Sequence, residues 1–210
     1  HKGDIEIHQY WHAVFNHREE ASGIIAKTAD ELKEELKALL VDATRIRLRA
    51  DVPVGAYLSG GLDSSLLASI VRRYTANHLR TFSIAFTDER YDERNFQNRM
   101  AAFLGTEHEV VEVTHEAIGR IFPEVIWHTE TPLLRTAPAP MFLLSRRVRE
   151  CGYKVVLTGE GADEFFAGYD IFKEAKVRRF WARYPDSKWR FRLLEKLYPD
   201  VFQSGQTSLS

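Results

Sequence analysis

Cysteine is almost absent from this sequence: Cys151 is the only one among its 210 residues. A single cysteine cannot build the internal disulfide framework that supports many small secreted domains, so the composition favours a reducing, cytoplasmic setting. The thiol lies between a predicted helix and a predicted strand. We therefore interpret Cys151 as a small packing residue rather than as a nucleophile.

Long apolar runs and an excess of charge are also lacking. No segment approaches the roughly 20 apolar residues that a membrane-spanning helix requires, so we expect no membrane partner. The chain has 29 Lys and Arg residues against 30 Asp and Glu residues, a net charge of -1. Such a balance does not favour a nucleic-acid-binding surface. The hydrophobic fraction of 44% is ordinary for a globular domain with a core.

The start of the sequence has neither an initiator Met nor the apolar stretch of a signal peptide. Residues 4–16 contain strand-like apolar positions, and residues 16–22 are polar like a linker. We therefore predict that residues 1–23 are a lead-in and linker from a preceding domain, and that residues 24–210 form one domain. The polar tail, residues 203–210, predicts a truncation point at the C-terminus or a disordered loop.

Helical and strand-like periods alternate through the rest of the chain. Thr28 and Glu31 have the spacing of a capping box before an amphipathic helix of about 20 residues. Further helical stretches separate four short apolar runs, at residues 54–58, 81–86, 108–113 and 154–157. This alternation predicts an α/β fold in which a parallel sheet of about five strands carries helices on both faces.

Two adjacent glycines and three serines follow the first predicted strand. The glycines let the backbone approach a ligand without an intervening Cβ, and the helix that begins near Asp63 directs free N–H groups toward an anion. This is not a Walker loop, because no Lys follows the second glycine. The alternative, a glycine turn before a serine-capped helix, stays open on spacing alone. The segment reads Ser59-Gly60-Gly61-Leu62-Asp63-Ser64-Ser65.

A second glycine-containing loop follows the fourth predicted strand and opens another helix. It places three carboxylates within five residues, and carboxylates beside a phosphate cradle repel the phosphates unless a cation intervenes. Mg²⁺ is the natural hard cation for this position, and Asp63 can supply a ligand from the first loop. The alternative is an acidic helix N-terminus stabilised by the helix dipole. The segment reads Leu157-Thr158-Gly159-Glu160-Gly161-Ala162-Asp163-Glu164.

Together these strings resemble a known family. The first one, with the preceding residues 51–58, is similar to the PP-loop of the ATP pyrophosphatases in its asparagine synthetase version. The second, followed by residues 165–169, resembles the signature of the glutamine-hydrolysing asparagine synthetase family, and so does the segment 141–146. The resemblance runs from about residue 28 to about residue 176. It implies the C-terminal synthetase domain of that family, with a PP-loop, adenine nucleotide alpha-hydrolase-like fold.

In such a domain the resemblance implies ATP and Mg²⁺ as cofactors and the aspartate side chain as acceptor. The acceptor carboxylate attacks the α-phosphate, pyrophosphate leaves, and ammonia from a glutaminase domain displaces AMP from the acyl-adenylate to give asparagine. By resemblance Glu160 lies at the reacting centre, and Asp63 and Asp163 hold Mg²⁺. The implied ATP-binding residues are Leu58, Ser59, Gly60, Gly61, Asp63, Ser64, Ser65, Ile84, Thr158 and Gly159. The resemblance is also compatible with a homodimer.

Three departures from the family pattern bear on function. The N-terminal Cys nucleophile of the glutaminase is not in this sequence, and the catalytic Lys of the family's C-terminal helical region is also missing from it. We therefore expect the isolated chain to be inactive. Arg135 is displaced by one residue from the arginine expected before the Met141 segment, which makes aspartate less secure than ATP. Alternatives are a β-lactam-type synthetase, another amidotransferase, or an ATP-binding module that has lost catalysis.

Overall fold

The computed structural model describes residues 6–12 and 27–199. The chain divides into two compact units, His1–Arg49 and Ala50–Ser210, which we describe separately. Residues 6–12 form neither helix nor strand, so the predicted strand-like lead-in is wrong for that part. The predicted domain boundary after residue 23, the linker at residues 16–22 and the tail at residues 203–210 lie outside the described residues.

The described helix of the first unit, α1 (Ala29–Arg47), begins with the predicted capping box. The backbone N–H of Thr28 donates to Glu31 Oε2 at 2.7 Å, and the backbone N–H of Glu31 donates to Thr28 Oγ1 at 3.2 Å. Hydrogen bonds from the backbone and side chain of Thr28 lower the pKa of the Glu31 carboxyl. Each side chain thus satisfies a backbone donor that the first turn of a helix leaves unpaired.

Strands and helices alternate through the second unit as the periodicity predicted. The helix α8 was not predicted, because its short apolar pattern resembles that of a loop. The elements are β1 (Val54–Tyr57), α2 (Leu62–Tyr74), β2 (Arg80–Phe86), α3 (Arg94–Leu104), β3 (Glu107–Val113), α4 (His115–Thr129), α5 (Pro138–Glu150), β4 (Val155–Leu157), α6 (Ala162–Phe166), α7 (Asp170–Ala182) and α8 (Arg192–Leu197).

The four strands form one parallel sheet in the order β3-β2-β1-β4. The α/β parallel-sheet class is confirmed, with four strands in the described residues rather than about five. The chain runs from β1 to β3 on one side and returns to place β4 on the other side of β1. Such a reversal of strand order opens a crevice at the carboxyl ends of the adjacent strands, where open α/β sheets bind their ligands.

Helix α5 covers the part of the sheet that carries Phe82. The Phe82 side chain is fully buried and packs with Leu144 and Val148 of that helix. Helices α2 and α3 also contact β1 and β2, so the sheet is flanked by helices. Burial of this kind fixes the strand ends firmly, which is what a ligand site built on the connecting loops requires.

Helix α4 continues through Pro123, although a proline inside a helix removes one backbone hydrogen bond. The carbonyl that loses its donor, four residues earlier, is that of Gly119, which is exposed and has open space around it. Water can therefore satisfy that carbonyl, and the helix is continuous across the proline.

Within residues 6–12 and 27–199, none of the helices has both the length and the apolar character needed to cross a bilayer.

Candidate active site

The first glycine loop connects β1 to α2, and its serines hold it in shape from within. Ser59 Oγ lies 2.9 Å from Ser64 Oγ, and the N–H of Ser59 donates to Ser64 Oγ at 3.1 Å. Ser59 Oγ accepts from the N–H of Gly61 at 3.2 Å, and Ser64 Oγ donates to the carbonyl of Gly61 at 3.3 Å. Both hydroxyl groups thus take part in hydrogen bonds inside the loop. The backbone N–H groups at the start of α2 are left as the donors for a ligand.

Gly60 has a different task from Gly61. Its backbone has φ +84°, the left-handed region that favours glycine, and a Cβ there would lie 2.8 Å from Phe96 Cβ and 3.0 Å from the backbone nitrogen of Gln97. Gly60 therefore lets the loop press against the start of α3. Neither Gly60 nor Ser65 lines the cavity described below; the N–H of Ser65 donates to the carbonyl of Gly61 at 3.2 Å.

The second glycine loop lies in direct contact with the first. It follows β4, which pairs with β1 so that Leu157 is opposite Ala56. A Cβ on Gly159 would lie 3.0 Å from Asp63 Cβ and 3.1 Å from the backbone nitrogen of Ser64. The expectation that both loops share the carboxyl edge of the sheet is confirmed. The absence of a side chain at Gly159 is what permits this approach.

The two loops border a cavity of about 330 Å³, within the size range of small-molecule sites. Its apolar wall includes Leu58 and Ile84, at the ends of β1 and β2. The N–H of Leu58 donates to the carbonyl of Phe82 at 2.9 Å, and the Ser83 hydroxyl donates to the carbonyl of Leu58. The predicted residues that line this cavity are Leu58, Ser59, Gly61, Asp63, Ser64, Ile84, Thr158, Gly159, Glu160 and Asp163.

Five carboxylates, those of Asp63, Glu93, Glu160, Asp163 and Glu164, also line the cavity. The hydroxyl of Tyr169 donates to Glu164 Oε1 at 3.1 Å. That hydrogen bond and the Glu164 charge raise the pKa of Tyr169, with smaller contributions from Asp163 and Glu160. The pKa shift shows that one group feels several negative charges. A bound triphosphate would meet the same charges and needs a cation to offset them.

The carboxylates fit a cation that takes much of its coordination from the substrate. Among the described residues, no group of three or more His, Cys, Asp or Glu side chains is gathered closely enough to hold a metal alone. Mg²⁺ is commonly bound by one or two carboxylates together with phosphate oxygens. Asp63 and Asp163 suit that role because both line the cavity, Asp63 from the first loop and helix α2 and Asp163 from the start of α6. Gly168 keeps room for Asp163, since a Cβ there would overlap its carboxylate.

Sequence reasoning missed several side chains of the cavity wall, among them Tyr57, Phe86, Tyr91 and Gln97. Gln97 is 3% exposed, and its Nε2 donates to the carbonyl of Ile84 at 2.9 Å. This hydrogen bond satisfies the carbonyl of Ile84, at a point along β2 where the neighbouring strand β1 has already ended and the chain has entered the first loop. Nothing in the linear sequence links Gln97 to Ile84, because helix α3 and strand β2 meet only in the folded chain.

The profile of the asparagine synthase family matches residues 35–209 of this sequence. The chain belongs to the asparagine synthase family. Its members among curated proteins include asparagine synthetase 1 of Bacillus subtilis, which is 32% identical over 183 residues covering 87% of this chain and 28% of its own length. The amidase chyE of Penicillium rubens is 35% identical over 178 residues, covering 78% of this chain and 26% of its own length.

The chain spans about a quarter of the length of these curated relatives. Solved structures with a related architecture include a glutamine-dependent NAD+ synthetase of Acinetobacter baumannii in complex with ADP. That protein is 25% identical, with a TM-score of 0.45 over 62% of this chain and 26% of its own. The superposition is loose at this TM-score. The strand order of this chain defines its fold, and the sequence match defines its family.

Proposed function

We propose that this chain is the ATP-using region of a ligase that activates a carboxylic acid as its acyl-adenylate and converts it to an amide. One observation carries the proposal: the two glycine loops touch at the switch point of the sheet and border one cavity with five carboxylates. A site that only bound a nucleotide would gain nothing from that much negative charge beside the phosphates. Within an adenylating family, the charge has a use in holding Mg²⁺ and in supporting the reaction.

The proposed first step joins the acid to the nucleotide. A carboxylate oxygen of the acceptor forms a bond to the α-phosphorus of ATP, and the bond from that phosphorus to the bridging oxygen breaks, releasing pyrophosphate. Attack at phosphorus depends chiefly on positioning and on charge neutralisation. When bound, Mg²⁺ would offset the negative charge that grows on the departing pyrophosphate.

The residues of this chain then have separate tasks in the proposed step. Leu58 and Ile84 contact the nucleotide on its apolar side, and Thr158 and Gly159 border it from the second loop. Glu160, between two glycines, can bring its carboxylate close to the reacting centre. The internal hydrogen bonds of Ser59 and Ser64 keep the first loop ready before ATP arrives, which lowers the ordering cost of binding.

The proposed second step uses ammonia released from glutamine in a glutaminase domain. Its nitrogen attacks the acyl carbon, the bond from that carbon to the AMP oxygen breaks, and the nitrogen loses a proton to leave the amide. With aspartate as the acid, the acceptor that the family resemblance indicates, the product is asparagine. A related amidotransferase or a β-lactam-type synthetase would share the first step and differ in the acid.

Isotope exchange between ATP and pyrophosphate tests the first step directly. In the complete protein we expect exchange that requires Mg²⁺ and a carboxylic acid, since pyrophosphate can re-form ATP only from an adenylate. Exchange that is absent with every acid tried, while ATP still binds, would identify an ATP-binding module without catalysis.

Binding of ATP should depend on Mg²⁺ through Asp63. By titration calorimetry, we expect Mg²⁺ to raise the ATP affinity of the complete protein at least about tenfold over EDTA, because carboxylates and phosphates repel without a cation. Asp63→Asn should remove most of that gain, while the control Asp42→Asn, an exposed change on α1, should keep it. Equal affinity of the wild-type protein with Mg²⁺ and with EDTA would contradict the metal role of Asp63 and Asp163.

A further inference from the structure

A second cavity lies beside the first at the same edge of the sheet. It has a volume of about 450 Å³ and is formed where β2 and β3 end, together with the start of α4 and the segment before α5. Its size is within the range of pockets that hold drug-sized molecules, and is several times what a four-carbon amino acid occupies. None of the ten predicted site residues that line the first cavity contributes to this second cavity.

The two cavities share the side chains of Phe86 and Tyr91. The two rings meet edge to face, with centroids 6.4 Å apart and an interplanar angle of 69°. Phe86 is the last residue of β2, so this aromatic pair stands at the edge of the sheet with one cavity on each side. Phe86 and Tyr91 therefore lie on the boundary between the two cavities.

Most of the second cavity is apolar. Val113, which is 1% exposed, forms part of it, and Ile118, Ala137 and Pro140 form more. These side chains come from β3, from α4, and from the residue before α5 and its first turn. Burial of hydrocarbon against such walls contributes roughly 25 cal/mol per Å² of apolar surface. The cavity thus favours a ligand with an apolar body.

Asp88 and Arg135 both line the second cavity, and they differ in whether they have a partner. Asp88 accepts three hydrogen bonds from Arg90: from the backbone N–H at 3.1 Å, Nε at 3.0 Å and Nη2 at 2.6 Å. These bonds lower the pKa of Asp88 to about 2, so it is ionised and committed to Arg90. Arg135, by contrast, has no hydrogen-bond or ion-pair partner anywhere in residues 27–199. A guanidinium in this state is suited to bind an anionic group.

We propose that this second cavity holds the acid that is adenylated, and that the acid has an apolar body rather than being aspartate. The inference rests on the proposed function. Arg135 binds an anionic group of the acid, the apolar walls take its hydrocarbon part, and the reacting carboxylate passes Phe86 and Tyr91 toward the phosphates. The α-ammonium of aspartate would need an acceptor here, and Asp88, the one carboxylate among the lining residues, is taken by Arg90.

Three acids of related shape test the inference in ATP–pyrophosphate exchange with the complete protein: aspartate, succinate and benzylsuccinate. We expect kcat/KM for benzylsuccinate to exceed that for aspartate at least about tenfold, since a buried phenyl group is worth more than that in a pocket that fits it. A preference for aspartate would overturn the inference and leave the proposed function intact. Failure of all three acids to support exchange would overturn both.

Substitutions of residues that line the second cavity test whether the acid binds there. Ala137→Phe fills the cavity at a residue with ordinary helical backbone angles, so it should raise KM for benzylsuccinate at least about tenfold and KM for succinate much less. Arg135→Ala should raise KM for every acid and leave ATP affinity unchanged, because Arg135 does not line the ATP cavity. The matched control is Arg99→Ala, an exposed arginine of α3 outside both cavities. Equal effects of Ala137→Phe on benzylsuccinate and succinate would contradict the placement of the apolar body.

Discussion

Replacement of Glu160 by Gln should slow adenylate formation by roughly 10² or more, the usual scale for losing a catalytic acid–base or electrostatic group. The change keeps the size and hydrogen-bonding capacity of the side chain and removes its charge. ATP affinity should stay within a few-fold, because the loops and the apolar wall that bind the nucleotide are untouched. Pyrophosphate exchange and ATP binding, measured together on the complete protein, separate the two effects.

A neighbouring carboxylate supplies the comparison for Glu160. Glu164→Gln removes one negative charge from the same cavity, but this carboxylate is already bound by the Tyr169 hydroxyl. We expect a much smaller loss of exchange than for Glu160→Gln. Equal losses in both variants would assign the effect to the overall charge of the cavity, and a wild-type rate in Glu160→Gln would leave Glu160 as a structural residue at a helix start.

Gly60→Ala should be the most damaging single-methyl change in the first loop. The new Cβ meets the Phe96 Cβ and the Gln97 nitrogen, and an alanine is strained at φ +84°. Left-handed strain and overpacking together predict a loss of roughly 2–5 kcal/mol in the free energy of unfolding. ATP affinity should fall at least about tenfold, because the loop can relieve the clash only by moving away from α3. Chemical denaturation and calorimetry measure the two losses.

The control for Gly60 is another glycine with almost the same backbone angle. Gly152 has φ +82°, and a Cβ there would meet nothing within 4 Å. Gly152→Ala should therefore show the left-handed strain alone, about 1–2 kcal/mol, with ATP binding unchanged. If the two variants lose the same stability, the contact between Gly60 and α3 does not constrain the loop.

Local sequence patterns predicted most of the helices and strands. They do not determine features that depend on solvent access or on contacts made in the folded chain. The Thr28 capping box and the left-handed Gly105 after α3 are decided within a few residues of chain, so both ends were readable. The local sequence does not decide whether a helix continues through Pro123, because the cost of a helical proline depends on whether water reaches the carbonyl four residues earlier. The hydrogen-bond partners of the Ser59 and Ser64 hydroxyls also depend on the folded loop, which brings the two oxygens together.

The amino-acid sequence alone determines the two glycine loops, their carboxylates and the parallel α/β pattern. These features depend on turn conformations and side-chain types, which are properties of short segments. The folded chain alone brought these parts together. Pairing of β4 with β1, rather than with β3, puts Gly159 against Asp63, and this pairing depends on contacts between segments about 100 residues apart. The second cavity has the same origin. Its walls come from β2, β3, α4 and the approach to α5, and no local pattern encodes how the ends of separate strands and helices meet around an empty space.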